Sequence, residues 1–277
     1  MIQKGRPFYK LSGSGNDFVF VDARSEAVES LEQPAVVQAI CARGQGVGAD
    51  GIVFLRSNRA GQVAIRYLNS DGSLAALCGN ATLCAARLSA ELGIVDRDSE
   101  FGITTDSGLV TARFRQEQPE IDLQPITELM DRFDAEASSG ERRIGFALVG
   151  VPHLVILCED VDRASVVQRG RALRHHPKLT QGANVNFVSR TSYGWRIRTY
   201  ERGVEAETLA CGTGAVATGI MLAAWGVASE SVELETRSGR VLRVRHTLQN
   251  GQRFASLSGE ARIVFVGELG ELFPTTA

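Results

Sequence analysis

Residues 67–93, YLNSDGSLAALCGNATLCAARLSAELG, and residues 200–226, YERGVEAETLACGTGAVATGIMLAAWG, decide how this chain is built. Each begins with a tyrosine that ends a strand-like run. In each, a Cys-Gly pair follows eleven positions later, Cys78-Gly79 and Cys211-Gly212. A small, apolar, helix-compatible segment then closes on a glycine fifteen positions after the cysteine, Gly93 and Gly226. Glycine suits the left-handed position just past a helix end. Further on, TTDSGLVTARF (104–114) and ETRSGRVLRVR (235–245) both read as hairpins turning at Ser-Gly. A repeat in three features at matched spacing predicts a duplication, and so two homologous halves.

The second helical segment, GTGAVATGIMLAAW (212–225), contains no charged residue, and the first, 79–92, carries only Arg87 and Glu91. A helix that is apolar all round must be buried all round. The runs FVFVD (18–22), GIVFL (51–55), VAIRYL (63–68) and GLVTARF (108–114) read as strands from their β-branched content and length. The expected fold class is α/β (α+β), with two pseudo-symmetric halves. Each is a central buried helix wrapped by a mostly antiparallel sheet, and the active site is expected between them. Residues 1–120, with a C-terminal strand at about 265–277, are expected to form the half that carries Cys78. Residues 121–264 are expected to form the half that carries Cys211, and the crossing falls within 116–143.

The 277 residues suggest two domains at roughly 150 residues each. Apolar residues make up 44% and charged residues 22%, which is ordinary globular composition rather than a disordered one. Thirty basic against 32 acidic side chains leave a net charge of −2, without the basic footprint of a nucleic-acid or anionic-membrane binder. MIQKGRPFYK has no apolar core of a secretory signal. The longest apolar stretch, near 215–225, is too short and too glycine-broken to span a bilayer. A soluble, cytoplasmic protein is expected, with neither nucleic acid nor membrane as partner. Five cysteines, without a CxxC and without histidines at ligand spacing, predict neither a disulfide framework nor a structural metal site. Cys41, Cys84 and Cys158 lie in apolar contexts and read as small buried hydrophobes.

Cys78 and Cys211 read differently because the repeat places both immediately before a buried helix. Backbone N–H groups at a helix start lack intrahelical partners, and the macrodipole makes that end positive. The position favours a thiolate, and the amides beside it form an anion site. Two such thiols suit a reaction in which one removes a proton next to a carboxylate and the other returns one to the opposite face. The plainer alternative is two inert buried cysteines. A non-catalytic dicarboxylate-binding protein is a further alternative, separated from an enzyme by thiol reactivity. Gly46-Val47-Gly48-Ala49-Asp50-Gly51 matches GxGxxG, but a helix-like segment precedes it and a strand follows, the reverse of a dinucleotide fingerprint. The match at 212–217 opens a helix, but VEAETLA before it is not a convincing strand.

The motifs LSGSGNDF (11–18), NSDGS (69–73), CGN (78–80), GANVNF (182–187), ERG (201–203) and ACGTG (210–214) occur in that order. Together they resemble the diaminopimelate epimerase family nearly end to end. The resemblance implies a cofactor-independent isomerase that interconverts LL- and meso-diaminopimelate for lysine and peptidoglycan precursors. It implies Cys78 and Cys211 as the acid/base pair, with Gly79, Asn80, Gly212 and Thr213 holding the α-carboxylate. It also implies Asn16, Asn69, Asn184, Glu201 and Arg202 as substrate contacts, Arg202 on the distal carboxylate, and His153 and Glu201 as residues that tune the thiols. Family members are often dimers, which implies a homodimer; no metal or nucleic acid is implied. Departures from the commoner family pattern are Ala81 and Leu83 in the first helical turn, Val151 before Pro152-His153, and Gly51. They bear on substrate choice, since related enzymes on this fold act on histidine or proline derivatives.

Overall fold

The computed structural model describes residues 5–25, 27–57, 63–75, 77–192 and 194–272. The chain divides into two compact units, Met1–Ile121 with Glu260–Ala277, and Asp122–Gly259. The first unit contains β1 (Pro7–Gly13), β2 (Asn16–Asp22), α1 (Pro34–Cys41), β3 (Gly51–Ser57), β4 (Val63–Asn69) and α2 (Gly79–Glu91). The hairpin of β5 (Phe101–Thr105) and β6 (Gly108–Arg115) follows, and then β7 (Gln118–Asp122). The second unit contains β8 (Glu128–Met130), β9 (Glu141–Val149), β10 (Val151–Cys158), α3 (Val166–Arg174), β11 (Asn184–Thr191) and β12 (Gly194–Glu201). Then come β13 (Ala206–Thr208), α4 (Gly212–Ala224), β14 (Ser231–Glu235), β15 (Val241–Gln249) and β16 (Gln252–Gly259). The last strand, β17 (Ala261–Glu268), belongs to the first unit.

The ladders show the duplication directly. From β17 through β1, β2, β3, β4, β5 and β6 to β7, neighbours run antiparallel, antiparallel, parallel, antiparallel, parallel, antiparallel, antiparallel. From β8 through β9, β10, β11, β12, β14 and β15 to β16, the same order of directions recurs. A short helix bridges each first parallel pair, α1 between β2 and β3 and α3 between β10 and β11. The hairpins even share a polar staple. Thr105 Oγ1 lies 2.9 Å from Ser107 Oγ and donates to the Gly108 carbonyl, and Thr236 Oγ1 lies 2.8 Å from Ser238 Oγ and donates to the Arg240 carbonyl.

Inside each unit, the sheet encloses one helix, while a shorter helix, α1 or α3, also packs on that sheet. In α4, Gly212 and every residue from Gly214 to Leu222 are buried, and the helix lies against β9, β10, β11, β14, β15 and β16. In α2 the burial is nearly as complete, against β1, β4 and β17. Both helices end in the same motif. Gly93 (φ 65°) donates to the Ala90 carbonyl while Ile94 donates to that of Ser89. Gly226 (φ 70°) donates to Ala223 while Val227 donates to Leu222. This pairing of bonds is the Schellman arrangement, which needs a left-handed residue at its turn.

The structure corrects the sequence reading in four places. The return into the first unit begins at Glu260 rather than near 265, because β17 pairs with β1 from Gly13↔Ala261 to Pro7↔Glu268; residues 273–277 lie outside the described residues. The helices close at Glu91 and Ala224, one residue earlier than expected. A three-residue strand, β13, does precede Gly212, paired with the end of β12. Finally, Tyr67 and Tyr200 are not structural equivalents. The Tyr67 ring meets Phe18 and lines a recess with Cys78, Ala81 and Thr82, on the α2 side. Tyr200 packs with Val166 and Leu173 of α3, on the opposite face. Aligning the ladders through Val63↔Ile103 and Trp195↔Leu234 makes Leu68 the equivalent of Tyr200. The second unit therefore carries one extra residue between strand and cysteine. The other GxGxxG match is a packing feature, since a side chain at Gly46 would strike the Ala39 and Ile40 carbonyls of α1.

Since nothing lies within 4 Å of a methyl group built at Gly226, its replacement tests backbone conformation alone. Gly226→Ala should lose about 1–2 kcal/mol in urea unfolding, and Gly226→Asn should lose less. Equal stability of the alanine variant would refute the left-handed requirement.

Candidate active site

Cys78 and Cys211 occupy the residue before the first helical turn, in nearly the same extended conformation. The angles are φ −129°, ψ 112° at Cys78 and φ −135°, ψ 111° at Cys211. Cysteine is a poor cap, and neither side chain bonds to its helix's backbone as one. A helix start without such a cap leaves its amides available to an anion. Both cysteines are half-buried, whereas Cys41, Cys84 and Cys158 are buried, as expected. Burial pushes the Cys41 and Cys158 thiols up to about 12 and the Cys84 thiol well above its ordinary value.

In the first unit a hydrogen-bond chain runs to the start of α2. The Asn16 amide nitrogen donates to Asp50 Oδ2 (3.0 Å), and Asn80 Nδ2 donates to Asn16 Oδ1 (2.6 Å). Arg43 holds Asp50 Oδ1 at 2.7 Å and also grips Asp17. The Lys10 and Arg43 bonds hold the Asp17 carboxyl below its usual range against the opposing effect of burial. Asn80 is 1% exposed, and its Oδ1 is buried without a hydrogen-bond partner among the described residues. Asn69, at the end of β4, donates to Ser73 Oγ at 3.0 Å, so its side chain turns into its own loop and stays outside this chain. The departures Ala81 and Leu83 are fully buried in α2. Gly51 is sterically fixed, because a side chain there would meet the Leu68 carbonyl and the Tyr67 ring.

In the second unit, strands β10, β11 and β12 carry the expected residues. His153 pairs in register with Asn184, and the Arg202 backbone N–H donates to Asn184 Oδ1 at 2.8 Å. The Arg202 guanidinium is anchored by its Nη1, which donates to the Gln181 carbonyl at 3.1 Å. Thr208 Oγ1 donates to Glu201 Oε1 at 2.5 Å. Thr213 Oγ1 lies 3.7 Å from Cys211 Sγ. Val151, the third departure, starts β10 next to the Gly150 turn, where it pairs with Val149.

His153 is fully buried. Desolvation, aided by the positive charge of Arg202, lowers its pKa to about 3, so the imidazole is neutral. Its Nδ1 lies 3.2 Å from Asn186 Nδ2, and its Nε2 is buried without a hydrogen-bond partner among the described residues. Sequence reasoning passed over Asn186, Asp50 and Gln181. Asn186 was detectable, since residues two apart on a strand share a face and Asn184 was already implicated. A methyl group at Gly214 would strike Asn186 Oδ1 and come within 3.1 Å of Cys211 Sγ, so glycine there lets the amide lie under the first turn of α4.

The diaminopimelate epimerase family model matches residues 8–130 and 145–264. The diaminopimelate epimerase of Gemmatimonas aurantiaca is 47% identical over 277 aligned residues, covering 96% of this chain and 99% of that protein. That of Aquifex aeolicus is 40% identical, covering 95% and 98%. Among solved structures, a phenazine biosynthesis protein of the PhzF family from Bacillus anthracis superposes with a TM-score of 0.76 at 14% identity, covering 96% of this chain and 99% of that one. A hydroxyproline epimerase from Agrobacterium vitis, with bound trans-4-hydroxy-L-proline, gives 0.71 at 17% identity, covering 99% and 94%. These distant likenesses show a shared sheet-dominated, mixed α/β fold with a duplicated architecture. No helix among the described residues is long and apolar enough to cross a membrane.

The neutral burial of His153 sets a pH dependence. Between about 3 and 6.5 the unfolded chain holds a proton on this residue that the folded chain does not. The unfolded state therefore gains as pH falls through that window, and the full stability is present only above about 6.5. The urea midpoint should drop between pH 7.5 and 5 less steeply for His153→Gln than for the parent protein. Parallel profiles would show that the imidazole titrates alike in both states.

Proposed function

This chain belongs to the diaminopimelate epimerase family of isomerases, and we propose that it interconverts LL- and meso-diaminopimelate through Cys78 and Cys211. One thiolate takes the α-proton, and the electron pair left on carbon delocalises into the α-carboxylate. The opposite thiol then delivers its proton to the other face, so the thiol and thiolate have exchanged roles and no net proton is consumed. The reading rests on one observation above the rest, the same extended cysteine at the start of the same buried helix in each unit. An α-proton of an amino acid is a very weak acid, so the developing charge must meet preorganised donors away from water. The first-turn groups at Gly79, Asn80, Gly212 and Thr213 are proposed for that task. Asn16, Asn69, Asn184 and Glu201 are proposed to orient the substrate.

Arg202 favours a substrate with a second carboxylate. Among the described residues its guanidinium is anchored through one contact, to a carbonyl, which leaves donors for planar recognition of a carboxylate. An amino acid with one carboxylate gives that residue nothing to pair with. The proposed role is in lysine and peptidoglycan precursor synthesis, by a cytoplasmic enzyme that works as a homodimer.

Proton NMR of the reduced protein with LL-diaminopimelate in D2O should show loss of the α-proton signal together with appearance of the meso isomer. Cys78→Ala and Cys211→Ala should each slow epimerisation by about a hundredfold to ten-thousandfold, the range for losing a positioned acid or base. Parent-like turnover in either variant would sink the two-thiol scheme. Exchange with histidine or hydroxyproline but not with diaminopimelate would keep the chemistry and overturn the substrate. Binding without exchange would leave a dicarboxylate-binding protein.

A further inference from the structure

Beneath the first turn of α4 lies the buried Asn186, whose side chain contacts two further buried polar groups, His153 and Thr199, and the donor and acceptor assignments can be deduced atom by atom. The Leu154 carbonyl can only accept, and the Asn186 side-chain atom 2.9 Å from it must therefore be the amide nitrogen. Thr199 Oγ1 donates to the other amide atom, Oδ1, at 3.0 Å, which agrees. That same nitrogen lies 3.2 Å from His153 Nδ1. An amide NH2 only donates, so Nδ1 accepts and carries no proton. In a neutral imidazole the proton then resides on Nε2. The Nε2–H is a donor, fully buried and without an acceptor among the described residues.

The duplication supplies an internal control. By ladder register, His153, Asn186 and Thr199 correspond to Phe18, Val53 and Tyr67 of the first unit. All three are buried, and the Phe18 and Tyr67 rings meet edge-on at 5.8 Å. The first unit therefore fills this place mainly with aromatic and aliphatic packing. Burying an imidazole, an amide and a hydroxyl in its stead costs desolvation that only hydrogen bonding offsets. In the second unit the set ends on a donor with no acceptor among the described residues, in the strands beneath the helix that follows Cys211.

We propose that Asn186 is a positioning residue that locks His153 as the Nε2–H tautomer, making it a hydrogen-bond donor to an anion of the catalytic site rather than a proton acceptor. The anion is either a substrate carboxylate or the Cys211 thiolate, both of which accept the same bond. The inference rests on the epimerase reading for the identity of the site, but not for the tautomer. It removes His153 from the candidates for deprotonating a thiol, because an imidazole whose one basic nitrogen already accepts from an amide has none left for that task.

The test is nitrogen-15 NMR of histidine-labelled protein at neutral pH. His153 is distinguished from His175, His176 and His246 by its absence in His153→Gln. The expected spectrum has the proton on Nε2 and an unprotonated Nδ1. A proton on Nδ1, or a doubly protonated ring, overturns the proposal whatever the activity. A shift of the Nε2–H signal on adding LL-diaminopimelate identifies the substrate carboxylate as the acceptor. A shift produced by Cys211→Ala without substrate identifies the thiolate. A signal that moves in neither case overturns the donor role.

In Asn186→Asp a carboxylate faces Nδ1, so the proton should move to that nitrogen. Epimerase kcat/KM should then fall about ten- to a hundredfold, the loss seen when the partner that fixes an imidazole tautomer is removed. His153→Phe copies the residue of the first unit and should fold. It should lose activity by a similar factor, while His153→Gln, whose amide still donates, should recover part of it. Full activity in His153→Phe overturns the proposal. Failure of the parent protein to epimerise diaminopimelate, with the Nε2–H tautomer in place, would defeat the substrate reading and leave the tautomer assignment standing.

Discussion

The structure depends on the burial of two helix starts. An ordinary surface helix places its first turn in water, where solvent satisfies the orphan amides and a serine or aspartate caps them. In α4 there is no charged residue to hold any face in water, and the sheet of its unit encloses it from Gly214 to Leu222. The N-terminal amides are carried inward with the rest of the helix. Cysteine at the preceding position leaves them uncapped and adds a half-buried thiol beside them. Apolar burial, the largest stabilising effect in the unit, thus also brings the positive end of the helix dipole up against a half-buried thiol. The same argument holds separately for α2 and Cys78.

Much of this was legible in the sequence because duplication is a pattern in spacing. The Cys-Gly pairs, the closing glycines and the Ser-Gly hairpins each survive as matched structural features. The tyrosines do not, for a physical reason. Strand side chains alternate between faces, so a shift of one residue reverses which face a position serves. The second unit has one extra residue before its cysteine, and the equal interval from Tyr67 to Cys78 and from Tyr200 to Cys211 matched residues of opposite facing. Equal spacing in a sequence cannot distinguish conserved register from a compensated slip. Only the ladders through Val63↔Ile103 and Trp195↔Leu234 do so.

The hydrogen-bond partners of the site were less legible because they come from remote strands. Asp50 reaches Asn16 across the parallel pair β2–β3, and Asn186 reaches His153 across the parallel pair β10–β11. Parallel neighbours are joined by long crossovers, so their contacts leave no local mark. The Gln181 carbonyl that anchors Arg202 has no side-chain signature at all. The departures Ala81 and Leu83 look consequential in the sequence, so close to Cys78. In the fold, both side chains are fully buried in α2, where they serve packing.

The two units use one ladder to support different chemistry. In the first, a carboxylate begins the chain. Asp50 can only accept, so Asn16 turns its nitrogen toward it and its oxygen toward Asn80. Asn80 in turn gives its nitrogen and is left with a buried acceptor, Oδ1. In the second unit a backbone carbonyl begins the chain, and each bond fixes the next until a buried donor remains on His153. A group whose orientation is dictated from behind pays no reorganisation cost when charge develops in front of it. A duplicated fold can thus give two chemically identical thiols unlike surroundings, an acceptor fixed beside one helix start and a donor fixed beside the other. Such unlike surroundings suit the two-thiol exchange proposed above, in which one cysteine holds a proton while the other does not.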